Sequence, residues 1–415
     1  MSQEESLVWE IGDRPRLPLT VLRERPSSEA KLWPGAIPAV SFNLEGIDVY
    51  TNTDCPFMCE HCFLTTQELH TKDRMDLGTV EQITQWAAQP GSKIEEITLL
   101  GGEFSIHPQA ADIIKLVGNT QKIDGTFLRP RIVTNGGKPF QNLLADEEVV
   151  QILQKSRVAV SIEAANPELN DRFRGRGAAT NAWRTVDLLV EHGIPVDINC
   201  TVMRSTVHDA MRLANYAYRK GARRINFHSF SPIGRGHNLQ DEAMTSKEWG
   251  RFCDLMSGYK SALKDDYGIN DFTVDVEFAY DYGVPTVEAR NACAIADGTN
   301  LQFRPPVRGS KDCAVLACGL TMPDPDKSAY VFRDGNLYQR RGDSEHRLVG
   351  IGAVRACCPL PFRQQPEGEP QPICVYTRID HGLAVKNAYR VPNTQWSILG
   401  KLAFDDYASE RDGNQ

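Results

Sequence analysis

Between residues 45 and 282, short apolar runs rich in β-branched residues alternate with amphipathic helical patterns. Such alternation implies a parallel sheet with helices outside it. The sequence therefore predicts an α/β fold, a partial (βα)6 barrel whose functional loops follow the strand ends. The strand-like runs are residues 47–50, 94–100, 131–134, 158–162, 196–202, 224–230 and 272–278. The helical patterns are residues 79–88, 110–120, 146–154, 182–192, 207–220 and 247–264.

Composition and charge exclude several classes of protein. A chain of 415 residues is long enough for about two or three domains. Its net charge of −8 argues against nucleic acid as the main partner, because phosphate binding needs a basic surface. The acidic start lacks the apolar segment of a secretory signal, and no run approaches the roughly 18 apolar residues of a membrane helix. We therefore expect a cytoplasmic protein that binds neither membranes nor nucleic acid.

Three cysteines follow the first predicted strand. Cys55, Cys59 and Cys62 form a C-x3-C-x2-C motif, and the next cysteine is Cys200. Eleven cysteines in a chain without an export signal indicate metal ligands before disulfides. A [4Fe–4S] cluster normally takes four cysteine ligands, so three leave one iron open to bind another molecule. Zinc is the alternative, although zinc sites usually consist of two Cys/His pairs and Cys62 would crowd a metal bound to its neighbour His61.

The spacing of these cysteines resembles that of the radical SAM enzymes. The resemblance implies that the open iron of the cluster chelates the methionine part of S-adenosylmethionine. It also implies that one electron from the cluster cleaves the sulfonium and yields a 5′-deoxyadenosyl radical, with flavodoxin or ferredoxin as the electron donor. His61 and Phe63, which flank Cys62, would contact the adenine or shield the cluster.

Two further motifs stand at the ends of the second and third predicted strands. Gly101-Gly102-Glu103 resembles the GGE motif of the same family. Two glycines permit close approach of the backbone to a ligand. The resemblance implies that the Glu103 carboxylate and nearby carbonyls accept hydrogen bonds from the methionine ammonium group. Asn135 belongs to a Thr-Asn-Gly run that resembles the floor of the family's cofactor cavity, but the run also fits an ordinary tight turn.

The fourth predicted strand leads to Ser161 and Glu163, with Arg174 shortly after them. This stretch resembles one found in the radical SAM enzymes that modify peptides or proteins, with glutamate at position 163 where that pattern has aspartate. Strand alternation places Ser161 and Glu163 on one face, where they suit ribose hydroxyls. Arg174 would clamp the methionine carboxylate, or it is a solvated charge in a basic run. Residues 232–235 resemble a P-x-GR turn near the adenine.

After residue 282 the pattern changes, because turns become dense and six cysteines appear. Residues 283–415 are similar to the SPASM or twitch extensions that hold auxiliary iron–sulfur clusters, although Tyr338-Gln339-Arg340 stands where they carry a cysteine. Six cysteines cannot supply four ligands to each of two clusters, so we predict one auxiliary [4Fe–4S] cluster in a small, loop-rich domain. The alternative is a domain with free thiols or zinc. The candidate ligands are Cys313, Cys318, Cys357, Cys358 and Cys374, with Cys293 in reserve.

The resemblance favours an oxidative modification of a ribosomally made precursor peptide, by cross-linking or dehydrogenation. Residues 1–44 read as an irregular, proline-rich leader that is short for a peptide-recognition domain, which leaves a small molecule such as a sugar or cyclitol as the alternative substrate. A rival from another class is a non-enzymatic electron carrier or cluster scaffold. Such a protein would not need residues that bind ammonium, ribose and carboxylate groups. Neither an acid–base residue nor the oligomeric state follows from the sequence.

Overall fold

The computed structural model describes most of the chain between residues 46 and 276 and several strands beyond it. The described residues are 46–230, 232, 234–244, 246–276, 300–305 and 313–316, with the strands at 330–333, 336–341, 344–348, 360–363 and 371–373. The predicted leader and the candidate ligands Cys293, Cys318, Cys357, Cys358 and Cys374 lie outside these residues. Their assignments stay predictions.

A parallel sheet carries the first seven strands in chain order, with every neighbouring pair parallel. This confirms the predicted α/β architecture, and the strand bounds agree with the sequence pattern to within a few residues. The strands are β1 Gly46–Asn52, β2 Glu96–Gly101, β3 Arg129–Thr134, β4 Arg157–Ser161, β5 Val196–Val202, β6 Arg224–Ser229 and β7 Thr273–Val276.

The helices that connect these strands include all those predicted and three short ones that were not. The described helices are α1 Thr66–Thr71, α2 Leu77–Ala87, α3 Ala110–Gly118, α4 Lys138–Leu143, α5 Glu147–Gln154, α6 Pro167–Arg174, α7 Ala178–Glu191, α8 Ala210–Arg219 and α9 Ser246–Asp265. The sequence pattern misses α1 and α4, since six residues are too few to show apolar periodicity, and it misses α6, whose eight residues are mostly polar. None of the described helices combines the length and apolar character needed to cross a membrane.

A further strand, β8 (Asn300–Arg304), lies on the other side of β1 and pairs with it in parallel. Four antiparallel strands extend the same sheet beyond β8, and a separate two-stranded pair follows. The sequence predicts loops in this region instead of strands. The strands are short and several consist mostly of polar residues, so they lack the apolar pattern by which a strand is recognised. They are β9 Cys313–Leu316, β10 Tyr330–Arg333, β11 Asn336–Arg341, β12 Ser344–Leu348, β13 Leu360–Arg363 and β14 Gln371–Ile373.

The two faces of the parallel sheet differ in chemistry. One face packs on the helices, where Ile47 and Val49 of β1 lie in the same apolar cluster as Ile83 of α2. The other face carries polar side chains, such as Arg157, whose guanidinium donates to Glu96 at 2.9 and 3.1 Å. Side chains that point to opposite faces alternate along a strand, so polar groups from several strands line one side of the sheet.

Candidate functional site

The cysteine loop, residues 53–65, begins where β1 ends and is anchored there by Asn52. The Asn52 amide donates to the Asp54 carbonyl at 3.0 Å, to the Asp54 carboxylate at 2.9 Å and to the Glu103 carbonyl at 3.0 Å. Asp54 also binds the Arg74 guanidinium. One buried amide thus joins the start of the cysteine loop to the residues that follow β2, a link that no sequence motif indicates.

Gly101 and Gly102 allow the end of β2 to lie directly against this loop. A Cβ atom at residue 102 would overlap the carbonyl oxygens of Thr53 and Asp54, closer than real Cβ atoms come. The Gly102 amide donates to the Asn52 carbonyl at 2.9 Å. From the sequence, the two glycines are expected to permit close approach to a ligand. In the structure, what approaches closely is the protein's own backbone.

The three cysteines are half-buried on this loop. The Phe57 amide donates to Cys55 Sγ at 3.4 Å, and the Asn135 side-chain amide lies 3.8 Å from the same sulfur. Cys59 Sγ lies 3.8 Å from the Arg174 carbonyl. Burial raises the pKa of Cys55 to about 12 and that of Cys62 to about 11, and it also raises the pKa of Cys59. Thiolates at these positions therefore need a nearby positive charge, which a metal centre supplies.

The donor set fits an iron–sulfur cluster, since three thiols lie on one short loop, close enough that the charges of Cys59 and Cys62 raise the pKa of Cys55. In the part of the chain that the structure describes, no group of three or more His, Cys, Asp or Glu side chains is arranged around one metal ion. A cluster is wider than an ion, so its ligands stand further apart. Cys313, at the start of β9, is buried in the apolar cluster of the main sheet.

Glu103 lies buried between the ends of β2 and β3. Its Oε1 accepts from the Ser105 amide at 3.2 Å, from Ser105 Oγ at 2.7 Å and from Thr134 Oγ1 at 2.8 Å, and its Oε2 accepts from the Asn135 amide at 2.7 Å. Burial raises the pKa of this carboxyl group, and these hydrogen bonds oppose that shift. A carboxylate oxygen accepts at two lone pairs, so Oε2 has capacity for a further donor.

Glu163 and Arg174, which the sequence assigns to separate ligand groups, bind each other. Arg174 Nη2 lies 2.8 Å from Glu163 Oε1, and Arg174 Nε donates to Oε2. His61 Nε2 lies 3.2 Å from the same Oε1, whereas the buried His61 Nδ1 has no hydrogen-bond partner within the described part of the chain. Ser161 is half-buried at the end of β4. Their predicted contacts with ribose and carboxylate stay predictions.

Arg235 holds the cysteine loop from the side of β6. Its guanidinium donates to the Cys59 carbonyl at 3.0 Å, to the Met58 carbonyl at 3.1 Å and to Thr66 Oγ1 at 2.7 Å. The Gly236 amide donates to the Cys62 carbonyl at 3.1 Å. The sequence places this turn near the adenine, and in the structure it contacts the loop that carries the cysteines.

Two aromatic contacts flank the last cysteine. The Phe63 ring is 38% exposed and meets the Tyr50 ring edge to face at 6.2 Å. The His61 ring meets the Phe173 ring in the same way, also at 6.2 Å. The structure therefore brings the loop after β1 together with the ends of β2, β3 and β4, as the resemblance implies.

Residues 49–217 match the sequence model of the radical SAM superfamily. These residues form a radical SAM domain. The domain contains the three cysteines, the Gly-Gly-Glu motif and the Glu163–Arg174 pair.

Curated relatives share the domain at low identity. The chain is 26% identical over 219 residues to the antilisterial bacteriocin subtilosin biosynthesis protein AlbA of Bacillus subtilis strain 168, covering 51% of this chain and 45% of that protein. It is 27% identical over 199 residues to the AdoMet-dependent heme synthase of Oleidesulfovibrio alaskensis, covering 47% and 48%. It is 24% identical over 228 residues to the PqqA peptide cyclase of Ruegeria pomeroyi, covering 53% and 58%. The chain thus spans about half the length of these relatives.

Two solved structures share the fold. Streptococcus suis SuiB bound to S-adenosylmethionine matches with a TM-score of 0.51 at 15% identity, over 70% of this chain and 63% of that one. SuiB bound to its precursor peptide SuiA matches with a TM-score of 0.50 at 17% identity, over 75% and 66%.

Proposed function

We propose that this protein is a radical SAM enzyme that abstracts a hydrogen atom from a substrate C–H bond and so oxidises a ribosomally made precursor peptide. The observation that carries the proposal is the position of Cys55, Cys59 and Cys62. They lie on the loop after β1 of a radical SAM domain, beside Glu103 and the Glu163–Arg174 pair. An electron carrier or cluster scaffold has no need for these buried polar groups at the ends of successive strands.

The residues of this chain have distinct roles in the proposal. Cys55, Cys59 and Cys62 hold a [4Fe–4S] cluster, which supplies the electron for reductive cleavage of S-adenosylmethionine. Asn52 and Arg235 fix the loop so that the three sulfurs keep their positions. Both residues form hydrogen bonds with the cysteine loop and hold it in place, which preorganises the site.

The surrounding strand ends bind the rest of S-adenosylmethionine. Glu103 accepts a hydrogen bond from the methionine ammonium group at Oε2, while its bonds to the ends of β2 and β3 hold the carboxylate in place. Ser161 and Glu163 face the ribose, with Asn135 on the cavity floor. Arg174 orients Glu163 and contributes positive charge near the methionine carboxylate. His61 and Phe63 cover the adenine and exclude water.

A peptide substrate is supported by the names of two relatives. One is a biosynthesis protein for the bacteriocin subtilosin, and another is a peptide cyclase. The net oxidation would be a cross-link or a dehydrogenation. An auxiliary [4Fe–4S] cluster in residues 283–415, with Cys313 among its ligands, would bind the substrate or accept its electron. The protein would work in the cytoplasm with flavodoxin or ferredoxin as the donor.

A small-molecule substrate is the second candidate. Relatives of equal similarity include AdoMet-dependent heme synthases, at 27% and 26% identity, and a nucleotide dehydratase at 30%. These names concern small molecules, so the radical SAM domain alone does not select between the two substrate classes.

Co-expression tests the peptide proposal. Each short open reading frame beside the gene is expressed with the wild type or with a Cys55→Ala, Cys59→Ala, Cys62→Ala variant, and its product is weighed by mass spectrometry. The proposal predicts that one peptide loses the mass of two hydrogen atoms with the wild type alone. No change in any such peptide, combined with oxidation of a metabolite by the wild type, would assign the enzyme to the small-molecule class.

A further inference from the structure

Arg304, the last residue of β8, is a buried cation, and two of its three nitrogen atoms have no hydrogen-bond acceptor among the residues that the structure describes. The residue is 6% exposed, and neither its Nε nor its Nη2 atom has an acceptor. Burial lowers the pKa of Arg304 to about 10, since it disfavours the charged form. A guanidinium carries five N–H donors in a planar fork, and buried donors of this kind are normally satisfied.

Aromatic rings cover the flat face of this guanidinium. Arg304 Cζ lies 3.2 Å from the centroid of the Tyr50 ring and 5.6 Å from that of Phe63. A ring face attracts the cation but does not accept the N–H bonds that lie in the guanidinium plane. Stacking therefore holds Arg304 in place and leaves Nε and Nη2, on one edge of its fork, without an acceptor.

The neighbouring acidic groups do not fill that edge. Asp48 and Glu68 raise the pKa of Arg304 through their charge, yet neither accepts a hydrogen bond from its Nε or Nη2. By contrast, Nε and Nη2 of Arg174, another arginine close to the cysteines, both donate to Glu163. Arg304 is thus a stacked, desolvated arginine close to Phe63 that still needs an anion.

Strand register places Arg304 beside the site and apart from the residues proposed for S-adenosylmethionine. Val49 of β1 pairs with Phe303 of β8, so Tyr50 and Arg304 follow side by side. β2, which leads to Glu103, lies on the opposite side of β1. Arg304 therefore borders the cysteine loop at Phe63 from the side away from the proposed ammonium site.

We propose that Arg304 binds a carboxylate of the substrate, through two parallel N–H bonds, with the exposed Phe63 ring packing against the group that bears it. This assignment rests on the proposed function, because it gives the substrate of that site an acidic group. A carboxylate matches the planar fork of arginine geometrically, and such bidentate bonds are stronger than neutral ones. The carboxylate belongs to an acidic side chain or to a chain terminus, and the two sources are separable by experiment.

Blocked amino acids of equal size serve as probes. N-acetylglutamate α-amide offers a side-chain carboxylate, N-acetylglutamine offers a terminal one, and N-acetylglutamine amide offers neither. The apparent melting temperature of anaerobically reconstituted protein is measured against the concentration of each probe, since a ligand that binds the folded state raises it. We expect at least one acid to raise the wild-type value and the neutral amide to leave it unchanged. The stronger acid identifies the source.

Variants link the response to Arg304. In Arg304→Gln the apparent dissociation constant of the active acid should rise at least tenfold. Arg172→Gln is the matched control, since Arg172 stacks on Phe173 at 4.9 Å but already binds Glu242 at 3.2 Å, and its response should equal that of the wild type. Equal responses in wild type and Arg304→Gln, or no preference for acids, would overturn the proposal. Should Arg304→Gln not fold, Arg304→Lys decides, because it keeps the charge without the fork and should weaken binding severalfold.

The proposed function is measured separately in the same proteins. Wild type and Arg172→Gln should form 5′-deoxyadenosine from S-adenosylmethionine equally well when no substrate is present. Loss of this product in every protein would refute the radical SAM activity. The role of Arg304 is decided separately, by the change in melting temperature that the acidic probes cause.

Discussion

Glu163 and Arg174 form a buried ion pair that joins the end of β4 to the end of α6, with side chains that are 0% and 10% exposed. The Arg174 carbonyl lies 3.8 Å from Cys59 Sγ, and the neighbouring Phe173 carbonyl accepts from the Glu60 amide at 2.8 Å. These contacts connect α6 and the ion pair to the cysteine loop. His61 of that loop also contacts the Glu163 carboxylate.

Replacing Glu163 with glutamine should destabilise the protein strongly. The substitution leaves the Arg174 charge buried without its carboxylate, and loss of one partner of a buried pair costs about 3–5 kcal/mol. Urea unfolding measures the change. Asp187→Asn is the control, because the Lys220–Asp187 pair is 31% and 44% exposed and should contribute less than about 1 kcal/mol. Equal losses in the two variants would contradict a buried pair at Glu163.

The same pair predicts a dependence of stability on pH. Burial alone would raise the pKa of Glu163, but Arg174 and His61 lower it from 4.5 to about 2. The unfolded chain therefore binds the proton first, and the stabilisation is complete above pH 4.5 and lost as the pH falls towards 2. Acid unfolding of the metal-free wild type and Glu163→Gln should show their stability difference shrinking within this window. A constant difference would contradict the lowered pKa.

Gly102→Ala should disturb the cysteine loop, because its Cβ has no room beside the carbonyls of Thr53 and Asp54. We expect a lower melting temperature and less bound iron after reconstitution. Gly46→Ala is the matched control, since its Cβ would lie 3.6 Å from the Glu96 carbonyl, an ordinary contact. Normal iron content in Gly102→Ala would show that the loop does not depend on this close approach.

Phe303→Ala should show that β8 belongs to the main core. The Phe303 ring is fully buried and meets Trp86 of α2 edge to face at 5.7 Å, and such truncations cost about 3–5 kcal/mol. Phe127→Ala, at a ring that is 53% exposed, should cost less than about 0.5 kcal/mol. A small loss at Phe303, measured by urea unfolding, would mean that β8 does not support the parallel sheet.

The elements that sequence reasoning found are those with a local signal. The parallel strands are rich in apolar, β-branched residues. The spacing C-x3-C-x2-C makes Cys55, Cys59 and Cys62 recognisable as candidate metal ligands. Short α1 has no periodicity, yet its capping box was readable, since Thr65 and Glu68 stand three residues apart.

The relationships that sequence reasoning missed depend on non-local pairing. Arg304 reaches Tyr50 only because β8 pairs with β1, which are far apart in the chain. Glu163 and Arg174 were each identified as site residues, but a bond between them depends on how α6 folds back on β4. Motif spacing identifies candidate site residues, whereas tertiary packing determines which charged side chains form ion pairs.

Formation of 5′-deoxyadenosine directly tests whether the protein is a radical SAM enzyme. Protein reconstituted anaerobically with iron and sulfide is incubated with dithionite and S-adenosylmethionine, alongside the Cys55→Ala, Cys59→Ala, Cys62→Ala variant. We expect the product with the wild type only, and about four irons retained by the variant at the auxiliary cluster. A wild type that binds zinc instead of iron, or that carries a complete cluster and forms no 5′-deoxyadenosine, would contradict this expectation.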